Sequence, residues 1–282
     1  QPKHELGESP YRFNWQTPIL LSSHNQDILY LGGNKLHRSM NQGDDWTAIS
    51  PDLTQGGKEG NVAYGTLTTI SESPFQFGLI YTGSDDGLVQ VTKDGGANWK
   101  PLNGGWPANL WVTRVIASQH KKERVYVTLN GYRFDDFTPY IYMSEDYGKT
   151  WNNIGSSIPT SSVNVIIEHP EKENILFTGT DNATYISTDT GKTWNLLTGG
   201  MPPAAVHDLK IQPEENHLLV GTHGRSIYLA DLNALEIIGN DFAFAKVDKT
   251  RASSRYGSKG FMWSEGPEPS IELAFYSPAA AK

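Results

Sequence analysis

Four copies of one eight-residue turn constrain this chain more than any other feature. They run from Ser39 to Trp46, Thr92 to Trp99, Ser144 to Trp151 and Ser187 to Trp194, and share the pattern Ser/Thr-x-Asp/Asn-x-Gly-x-x-Trp. Their tryptophans are 53, 52 and 43 residues apart, a period that suits a repeated four-stranded unit. Each position has a physical reason. Asn41, Asp94, Asp146 and Asp189 can accept hydrogen bonds from backbone amides further along the turn. Gly43, Gly96, Gly148 and Gly191 allow a positive φ. Ser39, Ser144 and Ser187 can bond across the hairpin. Trp46, Trp99, Trp151 and Trp194 leave the turn on a strand and can pack between neighbouring sheets.

The flanks repeat as well. Short β-rich runs with glycine precede the boxes at 28–33, 79–84 and 176–180, and another run precedes those, as in Val163–Pro170. Residues 206–224 repeat this opening without a box. Each unit reads as strand A, a turn, strand B, a glycine turn, strand C, the box and strand D. No long stretch shows 3.6-residue periodicity. The expected fold is all-β: a β-propeller of four-stranded blades, about five of them, over residues 1–235. Residues 236–282 read as a linker (Arg251–Ser258) and the start of a C-terminal β segment (Ser270–Ser277). A single strand cannot bury its own face, so the chain reads as a fragment of a longer protein.

Composition narrows the function classes. The 282 residues carry 28 Gly, 8 Trp, 13 Tyr and no Cys, with a net charge of −8. Thiolate metal sites, disulfides and cysteine nucleophiles are excluded. The acidic balance argues against a nucleic-acid partner. No apolar run approaches the roughly 18 residues of a membrane span. No metal-ligand spacing and no phosphate-binding glycine loop occur, so neither a metal nor a cofactor is expected. One carboxylate per box is also a poor calcium cage.

The four boxes resemble Asp boxes, or BNR repeats, found in sialidases, sortilin-type propellers, xyloglucan-hydrolysing propellers and a photosystem assembly factor. The stretches Arg12-Phe13-Asn14-Trp15-Gln16-Thr17-Pro18-Ile19 and Gly221-Thr222-His223-Gly224-Arg225-Ser226-Ile227-Tyr228 resemble a narrower family of large exported bacterial proteins, labelled glycosyl hydrolase or sortilin-like. That resemblance implies an exported chain (periplasmic, cell-surface or extracellular) and partners among the remaining blades or domains of a parent protein. In it Trp15 takes the place of a strand-D tryptophan.

Propeller ligands bind where the B–C and D–A loops meet, on the face away from the boxes. Two sets of residues fall there. Asp85, Asp86, Asp135 and Asp136 are the candidate carboxyl pairs of a glycoside hydrolase, which needs two carboxyls about 5–9 Å apart. A sialidase would need an arginine triad; only eight arginines occur, with Arg114, Arg133 and Arg225 near that face. Trp106, Trp111, Tyr132, Arg133, Phe134, His223 and Arg225 form an aromatic, partly charged surface of the kind interfaces use. The stretch from Asn130 to Tyr140 reads as the longest B–C loop. His207 and Asp208 are adjacent on a strand and face opposite ways, a poor catalytic dyad. The expected role is non-catalytic recognition of a protein, peptide or glycan; the alternative is a glycoside hydrolase using the paired aspartates.

Overall fold

A computed structural model describes residues 2–235 except 5, 61, 198, 199 and 234, and two short strands at 243–244 and 275–276. The chain is an all-β propeller. Four antiparallel four-stranded sheets follow one another in sequence order. Blade 1 holds β1 (Ile19–Leu21), β2 (Leu29–Gly32), β3 (Leu36–Ser39) and β4 (Thr47–Ala48). Blade 2 holds β5 (Leu67–Glu72), β6 (Ile80–Ser84), β7 (Val89–Thr92) and β8 (Lys100–Leu102). Blade 3 holds β9 (Trp111–Ala117), β10 (Val125–Gly131), β11 (Asp136–Ser144) and β12 (Asn152–Asn153). Blade 4 holds β13 (Val163–Glu168), β14 (Leu176–Thr180), β15 (Thr184–Ser187) and β16 (Asn195–Leu196). The fifth sheet has three described strands, β17 (Val206–Gln212), β18 (His217–Thr222) and β19 (Ile227–Asp231), where four were expected.

Contacts divide the chain into two compact units, residues 1–211 with 219–228, and residues 212–218 with 229–282. In the second unit the Leu232 amide donates to Asn216 O, and β20 (Ala243–Phe244) pairs antiparallel with β21 (Phe275–Tyr276). The expected linker at Arg251–Ser258 lies outside the described residues.

The boxes form the turns that their residue types predict. Ser144 Oγ donates to Asp146 Oδ1 at 2.8 Å and accepts from the Gly148 amide at 2.8 Å. Asp146 also accepts from the Thr150 amide and hydroxyl, which draws its carboxyl down to about 2. Equivalent bonds link Ser39 to Asn41 and Gly43, Thr92 to Asp94 and Gly96, and Ser187 to Asp189 and Gly191. Three of the box glycines, Gly96, Gly148 and Gly191, also lie against the preceding blade. Gly148 has φ +84°, and a Cβ there would lie 2.6 Å from Leu102 of the preceding blade; one at Gly191 would meet Ile154 at the same distance. Gly148→Ala is therefore expected to lower stability by about 2 kcal/mol in urea unfolding, from backbone strain and overpacking together.

The core is a series of clusters between blades. Tyr30, Tyr81, Tyr126 and Phe177 hold the same place in successive second strands, all fully buried. The polar contacts across the seams alternate. At the seam of blades 1 and 2, Glu72 accepts from the Ser22 hydroxyl (2.5 Å) and the Tyr30 hydroxyl (2.9 Å), while His24 Nε2 meets Ser73 O (2.9 Å). At the seam of blades 3 and 4, Glu168 accepts from Ser118 (2.8 Å) and His120 Nε2 meets His169 O (2.7 Å). The box tryptophans follow the same rhythm. Trp46 and Trp151 donate to their own box glycine carbonyls, whereas Trp99 and Trp194 reach back to Ile49 O and Ile154 O of the preceding blade.

β1, β5, β9, β13 and β17 each form one edge of their sheets. An edge strand exposes unpaired backbone groups. Here side chains of the neighbouring blade take several of them. Thr68 Oγ1 donates to Val112 O and Thr113 Oγ1 to Val163 O, while the Val115 and Ala117 amides donate to Thr69 and Ser71 hydroxyls.

Candidate recognition site

These edge strands line a concave cavity of about 650 Å³. Its walls come from β1 and the turn before it (Asn14, Trp15, Gln16, Ile19), from β5 (Thr68, Thr69), from β9 (Trp111, Thr113, Arg114) and from the β10–β11 connection (Asn130, Tyr132, Arg133), with Asn164 and His207. No box residue contributes to it. A second cavity of about 440 Å³ shares Trp111, Asn130 and Arg133 with the first, and adds Lys58, Tyr64, Asp85, Asn109 and Phe134.

The connection expected as a long loop is mostly strand. β10 and β11 extend beyond their counterparts in the other blades, and a single 3₁₀ turn, Tyr132–Phe134, joins them. The turn places the Arg133 guanidinium 4.2 Å from the Trp111 ring and 5.0 Å from the Tyr132 ring. Such stacking orients a guanidinium while leaving its edge free. Asn130 accepts from the Tyr132 amide and donates to Asn164 Oδ1, and Asn164 Nδ2 in turn donates to Asp181 Oδ1. Arg114 pairs with Asp208 at 2.7 Å, and its Nε is buried with no partner. The rings of His207 and His223 are 5.2 Å apart; burial and the neighbouring imidazole push His207 down.

Of the residues singled out from sequence as a binding surface, Trp111, Tyr132 and Arg133 line the first cavity, and Phe134 the second. Trp106 lies elsewhere. It packs edge-on against Tyr142 and Trp151, beside the boxed turn of blade 3, because Gly104 admits its ring. His223 touches the site only through His207, and exposed Arg225 lines neither cavity.

Three of the four aspartates accept internal hydrogen bonds. Asp85 accepts from the Thr66 amide and hydroxyl and from Asn14, and burial raises its carboxyl despite those donors. Asp86 is fully buried and accepts from the Ser84 hydroxyl and the Gln55 amide. Asp135 ends the 3₁₀ turn with φ +56°. Asp136 accepts from the Thr138 amide and the Tyr140 hydroxyl, which hold its carboxyl low against the effect of burial.

Trp15, expected as a strand-D tryptophan, lies in a turn and in no strand. It sits in a tight turn held by Asn14, which accepts from the Gln16 amide, and it is 94% exposed beside the cavity. Its neighbours are fixed. Arg12 bonds Asp52, Thr54 and Gly65 O, and Asn14 bonds Thr66. The polar residues flanking an isolated tryptophan were the available signal.

Comparisons with known proteins agree with this architecture. The family model described as sortilin, neurotensin receptor 3, matches residues 139–265. No curated protein matches the chain. Among solved structures, a GH74 xyloglucanase from Xanthomonas campestris superposes with a TM-score of 0.61 at 13% identity, over 79% of this chain and 38% of that one. A GH74 enzyme from Niastella koreensis gives 0.55 at 19%, over 73% and 35%. The extracellular domain of what is described as a one-component system from B. thetaiotaomicron gives 0.53 at 17%, over 81% and 28%. The chain spans well under half the length of these proteins, and at such identities the likeness concerns the fold alone.

Proposed function

We propose that this chain, an Asp-box β-propeller resembling sortilin-type propellers, is a recognition module that binds its ligand in the cavity between Trp15, Trp111 and Arg133. One observation carries the reading: the cavity is lined by aromatic and cationic side chains, with Arg133 stacked on Trp111, while Asp85, Asp86 and Asp136 spend their oxygens on internal hydrogen bonds. Concave sites of this size with a few fixed polar groups suit ligand binding. An exported location accords with the extracellular domain among the similar structures and with the absence of any helix long and apolar enough to cross a membrane among the described residues. Ligand classes are protein, peptide and glycan, and the remaining blades or domains of a parent protein are further partners.

The test is capture from combined glycan and peptide arrays by the full chain and by Trp111→Ala. Wild type is expected to retain specific ligands, and the variant to lose at least tenfold in affinity. Capture unaffected by Trp111→Ala would contradict the reading.

A second reading, a glycoside hydrolase, is favoured by one fact: Asp85 borders the second cavity and its carboxyl is raised by burial, as suits a general acid. It requires turnover on a polysaccharide panel that Asp85→Asn abolishes, with Asp86, Asp135 and Asp136 as the candidate partner carboxyls. Absence of turnover by wild type sinks it.

A further inference from the structure

We infer that the ligand of this cavity is a carboxylate-bearing saccharide, with one ring stacked on Trp15 and the acid group taken by Arg133 and Arg114. The inference rests on the recognition reading and adds the ligand's chemistry. The residues lining the larger cavity include Arg114, Arg133 and His207 and no aspartate or glutamate, in a chain whose net charge is −8. An acidic protein that keeps carboxylates out of one concavity presents a local site for anions.

The cations also have capacity to spare. Arg133 forms no ion pair among the described residues, and stacking on Trp111 fixes its plane so that its edge can meet a carboxylate. Arg114 gives one terminal nitrogen to exposed Asp208 and keeps a buried, unpartnered Nε in the cavity wall.

The ring is argued from Trp15. A tryptophan 94% exposed contributes nothing to the core, yet the bonds of Arg12, Asn14 and Thr17 hold the backbone on both sides of it. A bare indole on an anchored backbone offers a flat face to the C–H face of a sugar. A peptide would instead be expected to add as a strand to the edge strands lining the cavity. That route is restricted, because Val112 O, Val163 O and the Val115 and Ala117 amides are already taken by threonine and serine hydroxyls.

The test measures tryptophan fluorescence and calorimetric binding of tetragalacturonate, its methyl ester, neutral cellotetraose and tetra-aspartate to the full chain. Tetragalacturonate is expected to bind, and esterification, Trp15→Ala and Arg133→Ala are each expected to weaken it at least tenfold. Added salt should weaken it too. Trp15→Phe should recover most of the loss, and because Trp15 is exposed both variants should keep the wild-type circular dichroism spectrum. Equal binding of acid and ester overturns the carboxylate. Unchanged binding by Trp15→Ala, or tetra-aspartate binding as tightly as the uronate, overturns the ring. If array capture depends on Trp111 but uronates do not bind, this inference fails and the recognition reading stands; if nothing on the arrays binds either, both fail.

Discussion

Glu168→Ala is expected to be among the most damaging single substitutions in this chain, with a loss of about 3–5 kcal/mol in urea unfolding. The Glu168 side chain is fully buried. It accepts from the Ser118 hydroxyl and the Gln119 amide, and one oxygen lies 3.8 Å from Arg124, itself 2% exposed. Removing the carboxylate leaves two donors in the seam of blades 3 and 4 short of an acceptor and takes the buried counter-charge away from Arg124 Nη1. Arg124 retains Glu145 and Glu173, which are half-exposed and cannot follow it inward. Glu168→Gln keeps one acceptor oxygen and should cost less than Ala. A loss below about 1 kcal/mol for Ala would mean that the seam repacks and that the carboxylate is not its anchor.

The second large effect is a loss of stability in mild acid, traced to His37. Its ring is 1% exposed on β3, beneath Tyr11 at 4.5 Å and near Phe13, and its Nε2 has no partner. Burial, with a smaller contribution from Lys35, lowers its pKa from 6.5 to about 4. The folded state therefore holds the ring neutral while the unfolded chain binds a proton below pH 6.5. The stability this neutral ring confers is full above pH 6.5 and is lost progressively as pH falls to about 4. Such a shift amounts to about 3 kcal/mol. Urea midpoints measured from pH 7.5 to 4.5 should fall accordingly, and the slope should flatten in His37→Asn. An equal slope in that variant would place the acid sensitivity elsewhere.

What the sequence revealed was mostly local. A box is legible because Ser144, Asp146, Gly148 and Trp151 bond one another within eight residues, so the residue types alone specify the turn. The seams were harder. Glu72 meets Tyr30 and Ser22 from 42 and 50 positions away, and only a comparison across two blades exposes the pattern. Ser22, His24, Tyr30 and Glu72 recur 96 residues later as Ser118, His120, Tyr126 and Glu168. The site was legible in part. Trp111, Tyr132 and Arg133 stand out as aromatic and cationic residues near a turn, but Trp106 has the same appearance and packs against Trp151. Adjacency in sequence does not reveal that Asp85 and Asp86 are buried; their oxygens are held by Ser84 of the same turn and by Thr66 and Gln55 from other segments. Trp15 escaped because exposure is a tertiary property, and its motif suggested a strand that the Asn14 turn forbids.

These observations share one centre: side chains of several blades converge on a concavity that carries arginine and tryptophan and excludes carboxylates. The measurement that tests this most directly is a crystal structure of the chain with a ligand captured from the arrays. Ligand density is expected between Trp15, Trp111 and Arg133, with an acidic group at the arginine edges. Density on the face of the boxes, or at any surface away from Trp111, would contradict it.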